Sequence, residues 1–549
     1  MPPPRPRLAD LCARPVDLLI VGGGINGVGA AREAADRGLK VLLVEQNDFA
    51  FGASSRSTKL VHGGLRYLEQ ASFGLVAEAL KERRVLCQIL APHLTRPLPF
   101  LVPVYAGDAR PAWLIRAGLW LYDALALAGR GFIHGHRWHG PTGARALAPD
   151  LAPAGLRGAA EYWDCQMDDS RLALENLWDA RSMGAQALNY CSLQGASLLK
   201  DGEIRVRLRD EEGGQDCEAR ARLLVLAAGA WTDEAFQRLG SSASAPRVHP
   251  TKGIHLVTRR LIADHALLVP ARSDRRIFFV IPWELEGRPA SLIGTTDSDY
   301  SGDKDHLSAD EAEISYLLSE TARVLPRASL SRADVWATYS GLRPLTAPRT
   351  RVPGHANASV SREHTFWEEP GVLAVTGGKY TTYRSLCQEL VERAARRLGA
   401  DLPKSTSAVS PLPGAPKPGE ASGGELARAL GLGTGLDQAA TDLLVRHYGR
   451  LAWDVCALAD KDPDLGKPLA PDSGCPAILA MAAWAALHEQ AVHLDDFYLR
   501  RTKLGLLLPP THPGVERVAA VMGAVLGWGK DREEAELERL KRVLTGEYR

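Results

Sequence analysis

The sequence has no stretch of roughly 18 to 20 consecutive apolar residues, the length that a membrane-spanning helix requires. The nearest approaches are "WLIRAGLWLYDALALAG" (113–129), interrupted by Arg116 and Asp123, and "AILAMAAWAAL" (477–487), which is too short. The opening "MPPPRPRLADLCARPVD" carries positive charge without a continuous apolar segment, so no secretory leader is expected there. Net charge is missing as well. Sixty-six Lys and Arg against 65 Asp and Glu leave +1, so no global field points to nucleic acid, and any charge that matters must be local. The 8 cysteines lie far apart with no CxxC pair. That spacing excludes a zinc site or a disulfide framework and predicts no metal and reduced thiols in a cytosolic setting. No internal repeat is present.

What remains is an ordinary globular balance, 45% hydrophobic and 24% charged, in a chain of 549 residues. That length exceeds what one core supports, so two or three cores are expected. "DLLIV" (17–21) reads as a buried parallel strand, "GGGINGVGAAREAADRG" as a turn into a helix ending at Gly38, and "KVLLVEQ" (40–46) as the next strand. This is a βαβ unit. "LLVLAAG" (223–229) and "GVLAVTGGKYTTYRSLCQEL" (371–390) return to the same strand-turn pattern, whereas "RIFFVIPW" and "ASLIGTTD" predict a second, antiparallel sheet. The Ser/Pro/Gly segment 405–425 reads as a linker without a core, and an Ala- and Leu-rich helical pattern follows it.

In "VGGGINGVG", Gly22, Gly24 and Gly27 match G-x-G-x-x-G between strand and helix, and Glu45 stands where a carboxylate can accept from ribose hydroxyls. Nicotinamide and flavin dinucleotides share this fingerprint. Here the second strand runs directly into "SSRSTKLVHGGLRYLE" (54–69), rich in hydroxyls and bearing a Gly63-Gly64 pair, as if backbone must lie along a flat ring. That suits FAD. The run from "LIVGGGINGVG" to "HGGLRYLE" closely resembles the N-terminal motif of the FAD-dependent, quinone-linked glycerol-3-phosphate dehydrogenases. "YWDCQMDDSRL" (162–172), "AAGAWTD" (227–233), "LIGTTDSDY" (292–300), "YSGLRPL" (339–345), "VTGGKYTTYR" (375–384) and "YLRRTKLG" (498–505) resemble that family's landmarks in its order.

The resemblance implies an α/β fold: a Rossmann-like FAD-binding domain (15–90, 160–232 and 335–400), an inserted antiparallel-sheet substrate domain (91–159 and 233–334), and a C-terminal all-helical domain (426–549). It implies hydride transfer from C2 of sn-glycerol 3-phosphate to flavin N5, giving dihydroxyacetone phosphate, with electrons passed to a membrane quinone. A phosphate ester calls for forked, permanent cations. The candidates are Arg66, Arg343 and Arg362, with Tyr67 beside them and Lys379 near the flavin, where an ammonium can stabilise developing negative charge. For the cofactor the same match brings in Asn26, Ser54, Ser55, Ser57, Thr58, Lys59, His62, Gly63, Gly64, Gly229, Gly378, Lys379, Thr381 and Thr382. His62 is named as the base, although it could equally only hydrogen-bond the flavin, and Lys252 and His255 offer a second choice.

A quinone acceptor implies peripheral attachment to the inner face of the cell membrane from the cytoplasm. The stretch around 110–130 suits either an interfacial helix or a buried one. The residues leave the oligomeric state open, a homodimer among the options. Two other readings stand beside this one: an oxidase or dehydrogenase of another small hydroxy or amino acid on the same fold, and a flavin-binding sensor without turnover.

Overall fold

The computed structural model describes residues 5–70, 72–129, 133–241, 245–274, 276–347, 363–417 and 419–549, without the side chains of residues 66, 69 and 70. Two sheets and a helical layer organise them. The first sheet runs in the order Thr365–Glu369, Val372–Thr376, Gln215–Leu226, Val16–Val21, Val41–Val44, Gln186–Leu188, with Ile204–Asp210 and Cys191–Leu198 extending it through the long strand Gln215–Leu226. Its five inner strands pair in parallel. Leu18 and Ile20 face one apolar cluster and Leu19 the opposite one, which is why "DLLIV" is apolar at consecutive positions. The helices Ile25–Asp36, Asp169–Ser182 and Tyr383–Leu398 cover the first of these faces.

The second sheet has ten strands, among them Val248–Arg259, Ile277–Leu285, Arg288–Gly294, Thr95–Tyr105 and Leu156–Met167. Almost all of its pairs are antiparallel, as expected from the β-branched and aromatic runs "RIFFVIPW" and "ASLIGTTD" with a turn between them. The strand Val335–Thr346, expected with the nucleotide-binding part, instead pairs with Val248–Arg259 here. Gly253 lies opposite Gly341 in that ladder, and a Cβ on Gly253 would stand 2.3 Å from Arg343 Nη2. Gly253 therefore leaves room for the Arg343 side chain, and Gly341 for the backbone of Arg56.

The first half of the expected linker is tied down, up to about Ala415, and the described residues from Lys417 to Glu425 are exposed. Leu412 and Ala415 are buried, Leu412 N donates to Leu90 O (2.8 Å), and Arg450 N donates to Gly414 O (2.9 Å). Prolines and glycines denied this segment regular structure without denying it contacts. The helices that follow, including Gln438–Tyr448, Ala480–His488, Pro513–Leu526 and Lys530–Glu547, share one apolar cluster with the second sheet, in which Trp283 and Tyr339 meet Tyr448 and Trp484.

Charged contacts complete the junction. Asp48, fully buried just beyond strand Val41–Val44, is held by Arg500 and Arg501 of the C-terminal part. Arg500 also reaches Asp496 (2.6 Å), whose partner oxygen accepts from the Val492 and His493 amides (2.8 and 2.9 Å). His493 lies between Glu212 (3.0 Å) and Glu536 (2.8 Å). Burial alone would lower its imidazolium, but the two carboxylates outweigh burial and hold it up at about 9.

A histidine raised above its unfolded value near 6.5 adds stability that is complete below that pH and disappears as pH climbs through about 9. The shift corresponds to roughly 3 kcal/mol. In urea titrations the unfolding free energy is expected to fall by roughly that amount between pH 6.5 and 9, and His493→Gln is expected to flatten the profile over this window. An unchanged slope in the variant would remove His493 as its source.

Candidate active site

The parallel strands Val16–Val21, Val41–Val44, Gln215–Leu226 and Val372–Thr376 all end at one groove, lined by Gly22, Glu45, Ala227 and Gly377 just beyond their last residues. Ligands of open α/β sheets bind at such carboxyl edges. The groove holds about 520 Å³. Gly22 adopts φ +111°, and a Cβ there would lie 2.5 Å from Ala227 O. Gly24 precedes helix Ile25–Asp36, whose first amide, Ile25 N, donates to Ser54 Oγ (2.8 Å). Gly27 packs the helix onto the turn so closely that a Cβ would stand 1.7 Å from Gly22 O. Glu45 accepts from Gly23 N (2.6 Å) and Asn47 N (2.8 Å), and burial pushes its carboxyl up to about 7 against those two amides. Asn26 and Gly229 line the same groove.

A second cavity of about 290 Å³ adjoins the groove and shares Ala53, Leu342, Pro344, Gly378, Lys379 and Tyr380 with it. The left-handed glycines Gly377 and Gly378 (φ +74° and +88°) turn the chain after strand Val372–Thr376 and bring Lys379 to the boundary. Its Nζ lies 3.6 Å from the centroid of the Tyr67 ring, a cation–π geometry. Arg343 enters from strand Val335–Thr346 and is aimed by Asp297 (3.0 Å), Thr295 Oγ1 (2.9 Å) and Thr296 O (2.9 Å). His255 enters from the neighbouring strand, stacks on Tyr339 (4.7 Å between centroids) and pairs its Nε2 with Thr58 Oγ1 (2.9 Å). Burial first, then the nearby Arg343 and Lys59 cations, hold its pKa well below the usual imidazole value, so the ring is neutral.

Beneath the cavity Asp164 accepts from Tyr122 Oη (2.6 Å), Arg83 Nη1 (2.5 Å) and Gly63 N (3.2 Å). Burial raises its carboxyl while Arg83 opposes the rise. Phe100, Leu268, Ile277 and Phe279 form an apolar wall. The arrangement joins a dinucleotide-sized groove to a small chamber lined by the cations Arg56, Arg343 and Lys379 and by the neutral imidazole of His255.

The comparisons agree with that geometry. The profile of the FAD dependent oxidoreductase family matches residues 17–384, and that of the C-terminal domain of alpha-glycerophosphate oxidase matches residues 404–533. Glycerol-3-phosphate dehydrogenase 2 of Mycobacterium tuberculosis is 39% identical over 532 residues, covering 94% of this chain and 87% of that protein. The chain belongs to the FAD-dependent glycerol-3-phosphate dehydrogenase family. The glycerol-3-phosphate dehydrogenase from Bacillus halodurans, solved with FAD, aligns at a TM-score of 0.77 with 26% identity, over 98% of this chain and 96% of that one. D-erythritol 1-phosphate dehydrogenase of Brucella abortus is 37% identical over 513 residues, 89% of this chain and 94% of that protein.

The residues of this glycerol-3-phosphate dehydrogenase family chain fit FAD. Three close approaches at Gly22, Gly24 and Gly27 leave backbone bare where a pyrophosphate must come near, and the groove continues into a chamber of ring dimensions. Because a methyl on Gly27 cannot coexist with the Gly22 carbonyl, Gly27→Ala is expected to be purified with less than about a tenth of the wild-type flavin absorbance per chain. Full flavin content in that variant would contradict the assignment of the groove.

Of the residues expected from the sequence, Ser57, Thr58, His62, Gly64, Tyr67, Arg343, Gly378, Lys379 and Thr381 line the chamber, and Gly22, Gly24, Asn26, Glu45, Ser54 and Gly229 line the groove. Lys59, Ser55, Gly63 and Thr382 line neither. Lys59 is buried against Asp169 (2.7 and 2.8 Å) and Ser55 O (2.6 Å), so a cation read as cofactor-binding is a structural ion pair. A Cβ on Gly63 would lie 2.4 Å from Tyr122 Oη. Thr382 Oγ1 turns back to Lys379 O (3.4 Å). Lys252 pairs with Glu313 (2.8 Å) away from the chamber.

Arg66 stands in the 3-10 turn Leu65–Gln70, between the chamber residues Leu65 and Tyr67, and its side chain lies outside the described set. Arg362 also lies outside the described residues. Sequence reasoning missed Asp164, Arg83, Tyr122, Thr295 and Asp297. Asp164 stood within the landmark "YWDCQMDD", where an acid flanked by aromatics was the available signal.

Proposed function

We propose that the chain oxidises sn-glycerol 3-phosphate at C2 to dihydroxyacetone phosphate and passes the electrons to a membrane quinone. One observation carries the reading: Arg343 and Lys379 share a chamber with the neutral His255 at the end of the cofactor groove. FAD, when bound, supplies the two-electron acceptor for the hydride from C2.

The chain's own residues do the rest. Arg343, preset by Asp297 and Thr295, takes the phosphate through charge-assisted hydrogen bonds, and Arg66 is a second candidate for it. Lys379 holds the substrate oxygen against the boundary with the groove and stabilises negative charge that develops there. His255 takes the C2 hydroxyl proton. It is held neutral by burial and by Arg343, and a bound phosphate dianion offsets that cation and makes the ring a stronger base as substrate arrives. His62, whose backbone is fixed by Thr381 Oγ1 (3.2 Å), then orients the cofactor. The apolar wall of Phe100 and Phe279 excludes water from the reacting carbon.

A polyol phosphate with a longer carbon chain is the second reading, because a D-erythritol 1-phosphate dehydrogenase stands among the relatives. A soluble redox dye assay separates the two. The proposal expects kcat/KM for glycerol 3-phosphate to exceed that for erythritol phosphate, glycine and proline by about 100-fold or more. Preference for either of the other classes would overturn it.

The helix Ala112–Ala128 supplies the membrane contact. Leu119, Tyr122 and Ala126 are buried on its inner face, while Trp113, Trp120 and Leu127, seven residues apart, are 70, 68 and 59% exposed on its outer face. Large aromatics in that position seat a helix in the headgroup region. In flotation assays with anionic liposomes, Trp113→Ser combined with Trp120→Ser is expected to cut the bound fraction about tenfold and to leave dye-linked activity unchanged. Equal flotation of both proteins would place this helix away from the bilayer. Among the described residues no helix is long and apolar enough to cross a membrane.

A further inference from the structure

A third cavity, of about 120 Å³, lies behind Met167, whose side chain lines both it and the substrate chamber. Strand Thr95–Tyr105, the end of strand Leu156–Met167, the turn after Ile277–Leu285 and the C-terminal helix Gln438–Tyr448 all contribute to its wall. Lys59, His93, Arg96, Arg446, His447 and Lys503 face it, together with the acids Asp168, Glu284 and Glu286.

Most of these groups have carboxylate partners. Lys59 has Asp169 (2.7 Å), Lys503 has Asp168 (2.9 Å), His447 has Glu286 (3.1 Å) and His93 has Glu175 (2.7 Å). Glu284, the remaining acid of the wall, is held by Arg260 (2.9 Å). Arg96 and Arg446 make no ion pair among the described residues. Arg96, at the mouth, donates only to Gln166 Oε1 (2.9 and 2.5 Å), and burial together with the facing Arg446 and Arg260 lowers its pKa.

Three further polar atoms of this wall are buried without a partner: Arg446 Nη1, His447 Nδ1 and His93 Nδ1. The His447 residue is 4% exposed. Both imidazoles give Nε2 to a carboxylate, so in the neutral tautomer each Nδ1 is an acceptor. Arg446 Nη1 is a buried donor without an acceptor, with the exposed Arg96 beside it at the mouth, and a buried unpaired donor is costly unless an anion joins it. Imidazole acceptors beside them favour an anion that also carries an O–H donor.

We propose that this cavity is a second anion site, which takes inorganic phosphate as hydrogen phosphate. Its oxygens accept from Arg96 and Arg446, and its hydroxyl donates to an imidazole Nδ1. The volume suits one such ion and few waters. The site is separate from the catalytic one, because Arg343 and Lys379 line only the substrate chamber and the cofactor groove.

Isothermal titration of the oxidised holoenzyme with phosphate at pH 7, at ionic strength fixed with chloride, tests this. Wild type is expected to take two phosphates per chain, one in each site. Arg343→Gln is expected to keep one, and Arg446→Gln is expected to keep one with KM for substrate within about twofold of wild type. Arg96→Gln, at the solvent-facing mouth, is the second variant and is expected to weaken the same site about tenfold or more. Sulfate, which has no proton at this pH, is expected to bind the second site at least about tenfold more weakly than phosphate. Wild-type stoichiometry and affinity in Arg446→Gln and Arg96→Gln, or no phosphate at all bound by Arg343→Gln, would overturn the proposal. Equal binding of sulfate would remove the imidazole contact from it.

Discussion

Arg343→Ala is expected to lower kcat/KM for glycerol 3-phosphate by about 1,000-fold, equivalent to roughly 4 kcal/mol, while the protein keeps its bound flavin. The size follows from the position. Arg343 is half-buried in a chamber whose wall is otherwise mainly apolar, and Asp297, Thr295 and the Thr296 carbonyl set its orientation before substrate enters. Truncation removes charge-assisted donors from a dianion that has already left water, and leaves Asp297 without its cation. The cofactor groove loses no lining side chain. Steady-state kinetics and the visible spectrum of the purified variant check both halves. A loss below about tenfold, or loss of flavin along with activity, would show that Arg343 does not hold the phosphate.

Asp48→Ala is expected to be the most destabilising single change outside the chamber, at roughly 3 to 5 kcal/mol. Asp48 has no exposed surface and is the shared carboxylate of Arg500 and Arg501, with Asn189 Nδ2 donating to it as well (3.1 Å). These two guanidiniums hold its pKa down despite the burial. Without it two buried cations face each other with Asp495, Asp496 and Glu489 as the remaining acids.

The same change should reach the cofactor, because Asp48 lies three residues beyond Glu45 in the loop that lines the groove. Urea unfolding is expected to show the loss in stability, and fluorescence titration of the apoprotein with FAD to show affinity weakened about tenfold or more. Arg501→Ala, which breaks the pair from the C-terminal side, is expected to give the same pattern. Wild-type flavin affinity in both variants would mean that the C-terminal helices hold the fold without shaping the cofactor site.

Much of the groove was legible in the sequence because the residues that build it are neighbours in the chain. Gly22, Gly24 and Gly27 act on one another across a single turn, and Glu45 follows within the same βαβ unit, so spacing alone fixes their geometry. The chamber was legible only in part. His62, Tyr67 and Lys379 are presented by glycine-bearing turns that any reader can see. The fate of Ser57 and Lys59, by contrast, was decided by Asp169, more than a hundred residues away, which captures both. Hydroxyls and cations next to a glycine-rich turn look the same whether they face a cofactor or a buried carboxylate.

The orientation of Arg343 likewise depends on Thr295 and Asp297, brought to it through the strands Val248–Arg259 and Arg288–Gly294. Sheet register of that kind is not written in local pattern. The helix Ala112–Ala128 illustrates the same limit. Its sequence suited an interfacial helix and a buried one equally, and the fold buries one face and leaves the other exposed.

In the proposed function this chamber brings a small phosphorylated alcohol to the flavin for oxidation. Anaerobic rapid mixing of the oxidised holoenzyme with glycerol 3-phosphate, followed at the flavin absorbance band, tests it most directly. The account predicts saturable bleaching of the oxidised flavin within the first turnover, and bleaching slowed about 1,000-fold at subsaturating substrate in Arg343→Ala. An absorbance that glycerol 3-phosphate leaves unchanged, while an amino acid bleaches it, would contradict the claim.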